Sequence, residues 1–414
     1  MDAFRYKGRK LYCEGADIEK IVRKTGTPVY LYSRGRIESN YKILDNAFKG
    51  IPHMICYSCK ANSNLAICRV LKNLGAGIDI LSAGELYKAL KVGVNAKKIV
   101  FAGVGKTEDE IRYALRSGIL MFNVESVAEL NLINEISGRM GRVAPVAIRV
   151  NFGFNPHAEY AYTNTSGGSK FGIEARVAEG VYAYANALKN VKVIGVHSHI
   201  GSQITEVLPF SKNLEMALNL ADNLRKLNIH IKYIDLGGGF GIGYKENELP
   251  VSMASAGRMF RPLLRGKPYT LIFEPGRFIA GPSGVLITKV LRIKESFGKI
   301  FVVVDAGMND LIRPSLYEAY HRIIPVNKPT SKQAGKVDVV GPVCETGDFL
   351  ALNRKMHLPR EGDLLAVMDA GAYGFEMASN YNSRCRPAQV MVHKNKFSTI
   401  RKRDTFADLV KGEK

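Results

Sequence analysis

His53-Met54-Ile55-Cys56-Tyr57-Ser58-Cys59-Lys60 is an apolar, strand-like run that ends on a lysine. A helical pattern over 63–74 follows it, and the alternation then repeats along the chain. Eight apolar strand candidates can be marked, at 54–60, 77–82, 98–103, 120–125, 145–151, 192–199, 231–236 and 270–274. Helix-like segments separate them at 83–92, 107–117, 126–138, 174–189, 206–228 and 252–265. The segment at 107–117 opens Thr107-Glu108-Asp109-Glu110, a Thr-x-x-Glu capping box ahead of an amphipathic run. Strands alternating with helices imply a parallel sheet with crossover helices. Such units spread over about 220 residues fit an α/β fold of the (β/α)8 TIM-like barrel type, which typically takes roughly 250. A doubly wound open sheet has the same spacing and stays open as the alternative.

Reactive side chains of the barrel fold gather at the C-terminal ends of the strands. Here those ends carry Lys60, then Asp79 and Ser82, Asn123, Arg149 with Asn151, His199, the triplet Gly237-Gly238-Gly239, and Glu274. After Arg277 the texture changes to strand-like runs at 285–293, 300–305, 336–341, 363–369 and 388–393 with turn residues between them. This predicts a barrel over 31–277 and a mainly β domain over 278–414, which the possible hairpin and short helix of 1–30 would join. The polar stretch 152–170, rich in Asn, Gly, Ser and Thr, reads as a functional loop or lid.

Composition narrows the classes. An apolar fraction of 46% over 414 residues suits a globular protein with a sizeable core. The first residues hold no apolar leader-like run, and no stretch is apolar enough to span a bilayer, so a cytoplasmic protein is expected. The formal charge of +21 could mark a nucleic-acid binder. But the basic residues are dispersed, with Lys97-Lys98 and Arg401-Lys402-Arg403 the tightest clusters, so neither a nucleic-acid nor a membrane partner is expected. Six cysteines without a leader read as reduced thiols. Cys56 and Cys59 form a C-x-x-C, yet their odd separation on a strand puts them on opposite faces.

The motifs carry the chemistry together. Lys60 alone would be a snorkelling surface residue; partly desolvated on a barrel rim, its amine would become an imine-forming nucleophile. His197 and His199 share a strand face and raise a metal alternative, which needs ligands from other strand ends. None of His53, His157, His230, His321, His357 and His393 supplies one, so no metal is expected. His199 could instead lie against a cofactor ring. The glycine triplet can bring backbone N–H groups to a phosphate, or simply make a tight turn. Glu274, in Glu274-Pro275-Gly276-Arg277, could protonate a pyridine nitrogen or pair with Arg277. With Gly341-Pro342-Val343-Cys344-Glu345 adding a thiol, amine, aromatic platform, phosphate cradle, carboxylate and acid describe pyridoxal phosphate chemistry.

On these motifs the chain resembles the fold-type III pyridoxal phosphate decarboxylases, within them the diaminopimelate-decarboxylating branch. Supporting segments are Asp79-Ile80-Leu81-Ser82-Ala83-Gly84-Glu85-Leu86, Ser169-Lys170-Phe171-Gly172, His199-Ile200-Gly201-Ser202-Gln203, Asp305-Ala306-Gly307-Met308-Asn309-Asp310-Leu311-Ile312-Arg313-Pro314 and Asp369-Ala370-Gly371-Ala372-Tyr373-Gly374. The resemblance implies catalysis by Lys60, His199 and Cys344. It implies cofactor binding by Lys60, His199, Ser202, Gly237, Gly238, Gly239, Glu274, Gly276, Arg277 and Tyr373. It implies that Arg277, Arg313, Tyr317 and Tyr373 hold the substrate, with Glu345 on its amine. The implied reaction converts meso-2,6-diaminopimelate to L-lysine and carbon dioxide in a homodimer, with Cys344 and Glu345 completing the partner's site. Two arginines and a tyrosine suit a distal carboxylate, which guanidinium binds bidentately. A decarboxylase for ornithine, arginine or carboxynorspermidine is the competing member of the same fold.

Overall fold

The computed structural model describes residues 3–153, 169–330 and 333–414. All eight expected barrel strands are present: β1 (His53–Ser58), β2 (Gly77–Ile80), β3 (Ile99–Phe101), β4 (Met121–Val124), β5 (Ala144–Asn151), β6 (Val191–His197), β7 (Tyr233–Asp235) and β8 (Thr270–Phe273). Every neighbouring pair is parallel, and β8 pairs with β1 through Phe273 and Ile55 while β4 pairs with β5 through Phe122 and Val146. The sheet therefore closes, which settles the choice against an open sheet. A further short strand, Ile173–Glu174, adds to β5. Side chains from alternating positions fill the lumen, with Cys56, Val100, Met121, Ala147, Tyr233 and Ile272 forming one buried cluster. Glycine at 77 is required by that packing. A Cβ there would sit 2.1 Å from the Lys98 carbonyl oxygen and 2.9 Å from the Cys56 sulfur.

The surrounding helices begin where side-chain caps are available. Asn64, Ser82, Thr107, Ser126 and Ser252 each accept a bond from a backbone N–H of the first turn, and Thr107 with Glu110 completes the capping box. Phe48, Phe210, Phe240, Phe260 and Phe273 pack against one another, with the rings of Phe48 and Phe273 only 4.4 Å apart. The helix Arg34–Ala47 precedes β1 and has no counterpart in the helices read from the sequence. Its buried residues Ile37, Tyr41 and Leu44 nevertheless follow helical spacing.

The chain divides into two units, Asn40–Ile242 with Leu249–Phe278, and Met1–Ser39 with Gly243–Glu248 and Ile279–Lys414. The second is mainly β. Val29–Ser33 lies between Gly284–Ser296 and Ala388–His393 in its large sheet, and the hairpin Phe4–Lys7 with Lys10–Cys13 belongs to the same unit. Ile18 and Ile21 of the short helix Ile18–Thr25 join Leu31, Val285, Ile287 and Val390 in its core. The strands Val29–Ser33, Ile323–Pro325, Phe349–His357 and Lys396–Arg401 are not among the strand-like runs read from the sequence. Phe349–His357 and Lys396–Arg401 lie at the sheet edges, where the exposed face keeps polar residues and blurs alternation. Among the described residues, no helix is long and apolar enough to cross a membrane.

Candidate active site

Lys60 does not end β1 itself. The strand stops at Ser58, and Cys59–Ala61 form a single 3-10 turn that exposes the lysine between buried Cys59 and Ala61. The buried neighbours Cys59 and Ala61 anchor the turn that carries the exposed lysine. The two cysteines nearby are far from a pair: the Cys56 thiol faces the Lys98 carbonyl, and that of Cys59 faces Cys68.

Around this amine the barrel collects three buried carboxyl groups. Ser58 Oγ donates to Asp79 Oδ2 at 2.7 Å, and Asn123 Nδ2 donates at 3.1 Å both to Asp235 Oδ2 and to Glu274 Oε1. Asp235 Oδ1 also accepts the Gly237 N–H at 3.0 Å. Burial raises all three carboxyls above the ordinary range. The charge of Glu274 raises Asp79 and Asp235 further, while Lys60 and Arg149 pull Asp79 and Glu274 back down. Ligand atoms of His197, Asp235 and Glu274 lie within 4.8 Å of one another, so carboxylates do come to a histidine here, although His199 is not the fourth member. Both Asp235 oxygens are engaged, by Asn123 and the Gly237 amide, and Glu274 Oε1 by Asn123, while Glu274 Oε2 lies 3.6 Å from His197 Nε2.

His199 takes another course. Its Nδ1 accepts the Gly238 N–H at 3.2 Å, which leaves the ring proton on Nε2. Burial, followed by the positive charges of Arg149 and Lys60, holds this imidazole well below its ordinary value, so it presents a neutral face. The buried His197 is depressed to about 3 by burial and by Arg149. An unfolded histidine titrates near 6.5, so only the unfolded chain gains this proton between those values. His197 therefore contributes a stability that is present above pH 6.5 and is lost as pH falls, at up to about 1.4 kcal/mol per pH unit. The urea midpoint of His197→Gln should decline less steeply between pH 6.5 and 4.5 than that of the parent protein, and parallel declines would refute this.

The glycine triplet is dictated by contact as well as by turn geometry. A Cβ on Gly238 would lie 2.3 Å from the Glu274 carbonyl oxygen, and one on Gly239 2.3 Å from that of Gly201. The bare backbone at 237–239 is thus locked between β6, β7 and β8. Arg277 Nη2 donates to Ser202 Oγ at 3.2 Å, tying the residue after Gly276 to the loop after His199.

A buried ionic chain that the sequence did not show supports this rim. Lys106 Nζ bonds to Glu129 Oε1 at 2.7 Å and to the carbonyls of Gly103 and Asn123. Glu129 Oε2 accepts the Glu125 N–H, and Glu125 holds Arg149 Nη1 at 2.8 Å and the Gly172 N–H at 2.8 Å. Lys106→Met leaves Glu129 buried without its cation and should cost about 3–5 kcal/mol in urea unfolding, most of it regained in the double variant with Glu129→Leu. An unchanged midpoint would show that the pair is dispensable.

The remaining predicted residues fall in the β unit. Arg313 and Tyr317 share the short helix Arg313–Tyr317, where the arginine is buried and the tyrosine half-exposed. Ser315 Oγ of that helix donates to the Gly347 carbonyl, which fastens it to the loop carrying Cys344 and Glu345. Asp348 organises this loop by accepting the N–H groups of Met308 and Val343 at 2.6 Å each. Cys344 and Glu345 are exposed, with the Cys344 N–H donating to Asn382 Oδ1 at 2.7 Å and Tyr381 Oη to Glu345 Oε2 at 3.3 Å. Tyr373 has φ of 57°, a left-handed conformation that bulky residues adopt at a cost of about 1–3 kcal/mol. Most of the expected lid lies outside the described residues.

Comparison with known proteins bears on both groups. The family model for the pyridoxal-dependent decarboxylase, pyridoxal binding domain, matches residues 34–281. A diaminopimelate decarboxylase of Pseudomonas aeruginosa is 45% identical over 100% of this chain and 99% of its own length. A solved diaminopimelate decarboxylase from Helicobacter pylori, complexed with L-lysine, is 38% identical with a TM-score of 0.91, covering 95% of this chain and 98% of that one. Another from M. jannaschii, also with L-lysine, is 37% identical with a TM-score of 0.94, covering 100% of this chain and 98% of its own.

Proposed function

The chain belongs to the pyridoxal-dependent decarboxylase family, and from that premise we propose that it converts meso-2,6-diaminopimelate to L-lysine and carbon dioxide. The observation that carries this reading is the end-to-end likeness to diaminopimelate decarboxylases in a barrel whose rim sets an accessible lysine amine among neutral histidine and buried carboxyl groups. That donor set fits pyridoxal phosphate. Lys60 offers the amine for its aldehyde, His199 a flat neutral face, Glu274 a carboxyl for its ring nitrogen, and residues 237–239, Ser202, Gly276 and Arg277 a side-chain-poor, cationic edge for its phosphate, with Tyr373 assisting. When bound, the cofactor supplies an electron sink conjugated to the carbon that loses carbon dioxide.

The chain's own residues then divide the work. Asn123 orients the Glu274 carboxyl by donating to its Oε1, and burial beside Glu274 raises the adjoining Asp235 carboxyl. Arg277, Arg313 and Tyr317 bind the carboxylate at the non-reacting end, and Glu345 its amine. The Cys344 thiol delivers a proton to the carbon left by the departing carboxylate. Cys344 and Glu345 are assigned to the site of a second copy, making the working unit a homodimer. A substrate with a cationic distal group, such as ornithine or arginine, would meet two arginines there, which argues against those alternatives. The direct test is carbon dioxide release from meso-diaminopimelate, its LL isomer, ornithine and arginine with cofactor-loaded protein. Release from the meso isomer alone is expected; release from ornithine or arginine only would overturn the specificity.

A further inference from the structure

His321 is one of the histidines to which the sequence assigns no task, yet it is completely buried and both ring nitrogens are engaged. Its Nε2 lies 2.8 Å from Arg313 Nη1, and its Nδ1 lies 2.8 Å from the Met368 carbonyl oxygen. A guanidinium nitrogen can only donate, so Nε2 must accept, and the single ring proton is left on Nδ1 for the Met368 carbonyl. One neutral tautomer satisfies both bonds. The imidazole is itself held at its backbone, where Arg354 Nη1 donates to the His321 carbonyl at 2.7 Å and the Met368 N–H donates to the Arg322 carbonyl at 2.8 Å.

The same guanidinium is fixed in a second direction. Arg313 Cζ stands 5.0 Å from the centroid of the Tyr244 ring, and that ring meets the His321 imidazole edge-on, with centroids 5.3 Å apart at 79°. Tyr244 is buried too, and its backbone N–H donates to Glu248 Oε2 at 3.0 Å. The ring backs the guanidinium, and the imidazole engages one of its terminal nitrogens. Arg313 and His321 come together because Glu318, at φ of 53°, ends the helix Arg313–Tyr317 and turns the chain back.

We propose that His321 is a positioning residue which, by accepting from Arg313 Nη1 against the Tyr244 ring, holds the guanidinium as a preset receptor and thereby sets the preference for ligands with a distal carboxylate. This rests on the reading of Arg313 as the distal-carboxylate ligand. An arginine pinned before binding loses less conformational freedom on binding, which is worth about tenfold in affinity for one long side chain. The effect should therefore appear only with ligands that use Arg313.

The test measures the binding of L-lysine, which carries the distal carboxylate, and cadaverine, which lacks it, to cofactor-loaded protein by calorimetry. His321→Gln keeps an acceptor at the position of Nε2, whereas His321→Asn reaches only the Met368 side. The Gln variant is expected to keep the parent preference for L-lysine, and the Asn variant to lose about tenfold of it, with cadaverine affinity unchanged in both. In an Arg313→Lys background the Asn substitution should add nothing further. Equal preferences in the Gln and Asn variants would overturn the proposal, as would parallel losses for both ligands or an undiminished effect in the Arg313→Lys background. If Arg313→Lys alone leaves the preference intact, the assignment of Arg313 to the carboxylate fails instead, and that outcome is separately visible.

Discussion

Lys60→Ala is expected to release carbon dioxide from meso-diaminopimelate at least about a thousandfold more slowly than the parent protein, since it removes the group that forms the covalent link. The substitution is a clean probe of chemistry. Lys60 is exposed on its turn, and the buried contacts of Cys59 and Ala61 remain, so the thermal midpoint should change little. After reduction with borohydride, the parent should carry the cofactor on the peptide containing Lys60, and the variant should carry none. Normal turnover with the cofactor attached elsewhere would remove Lys60 from its role.

Glu274→Gln should separate catalysis from folding. The amide preserves volume but carries no charge and cannot hold a proton for a ring nitrogen, so kcat is expected to fall by about 10²–10³. Stability should move the other way. Burial raises the Glu274 carboxyl, so the folded state favours its protonated form more strongly than the unfolded chain does. Such a group stabilises fully below the unfolded carboxyl value and loses that contribution as pH rises through the folded one. Replacing it with a neutral amide should therefore raise the thermal midpoint relative to the parent at pH 8 more than at pH 5.5. A variant that is slower and also less stable at pH 8 would show that the carboxylate is a structural partner.

Much of the architecture was legible because it follows from local rules. The barrel strands are short apolar runs bounded by polar turns, and the helix starts carry their own caps. The Arg34–Ala47 helix was legible in principle, through Ile37, Tyr41 and Leu44, but many polar residues dilute that stripe. The edge strand Phe349–His357 was not, since half of its residues face outward and alternation there has no core to enforce it. The apolar run continues to Lys60, whereas the strand stops two residues earlier at Ser58.

The site divides along the same line. The identity and order of its chemical groups, from Lys60 through His199 and the glycine triplet to Glu274, are properties of the chain alone. Whether those groups are charged is not. His199 is held neutral because burial and two cations surround it, and the Asp235 and Glu274 carboxyls are raised because the ends of β7 and β8 bury them together at one asparagine. The supports of Arg149 and Arg313 likewise come from Glu125 and His321, residues with no motif of their own. Sequence determined which functional groups are available; tertiary structure determined their protonation and direction, because both depend on desolvation and on neighbours that only the closed fold brings within bonding distance.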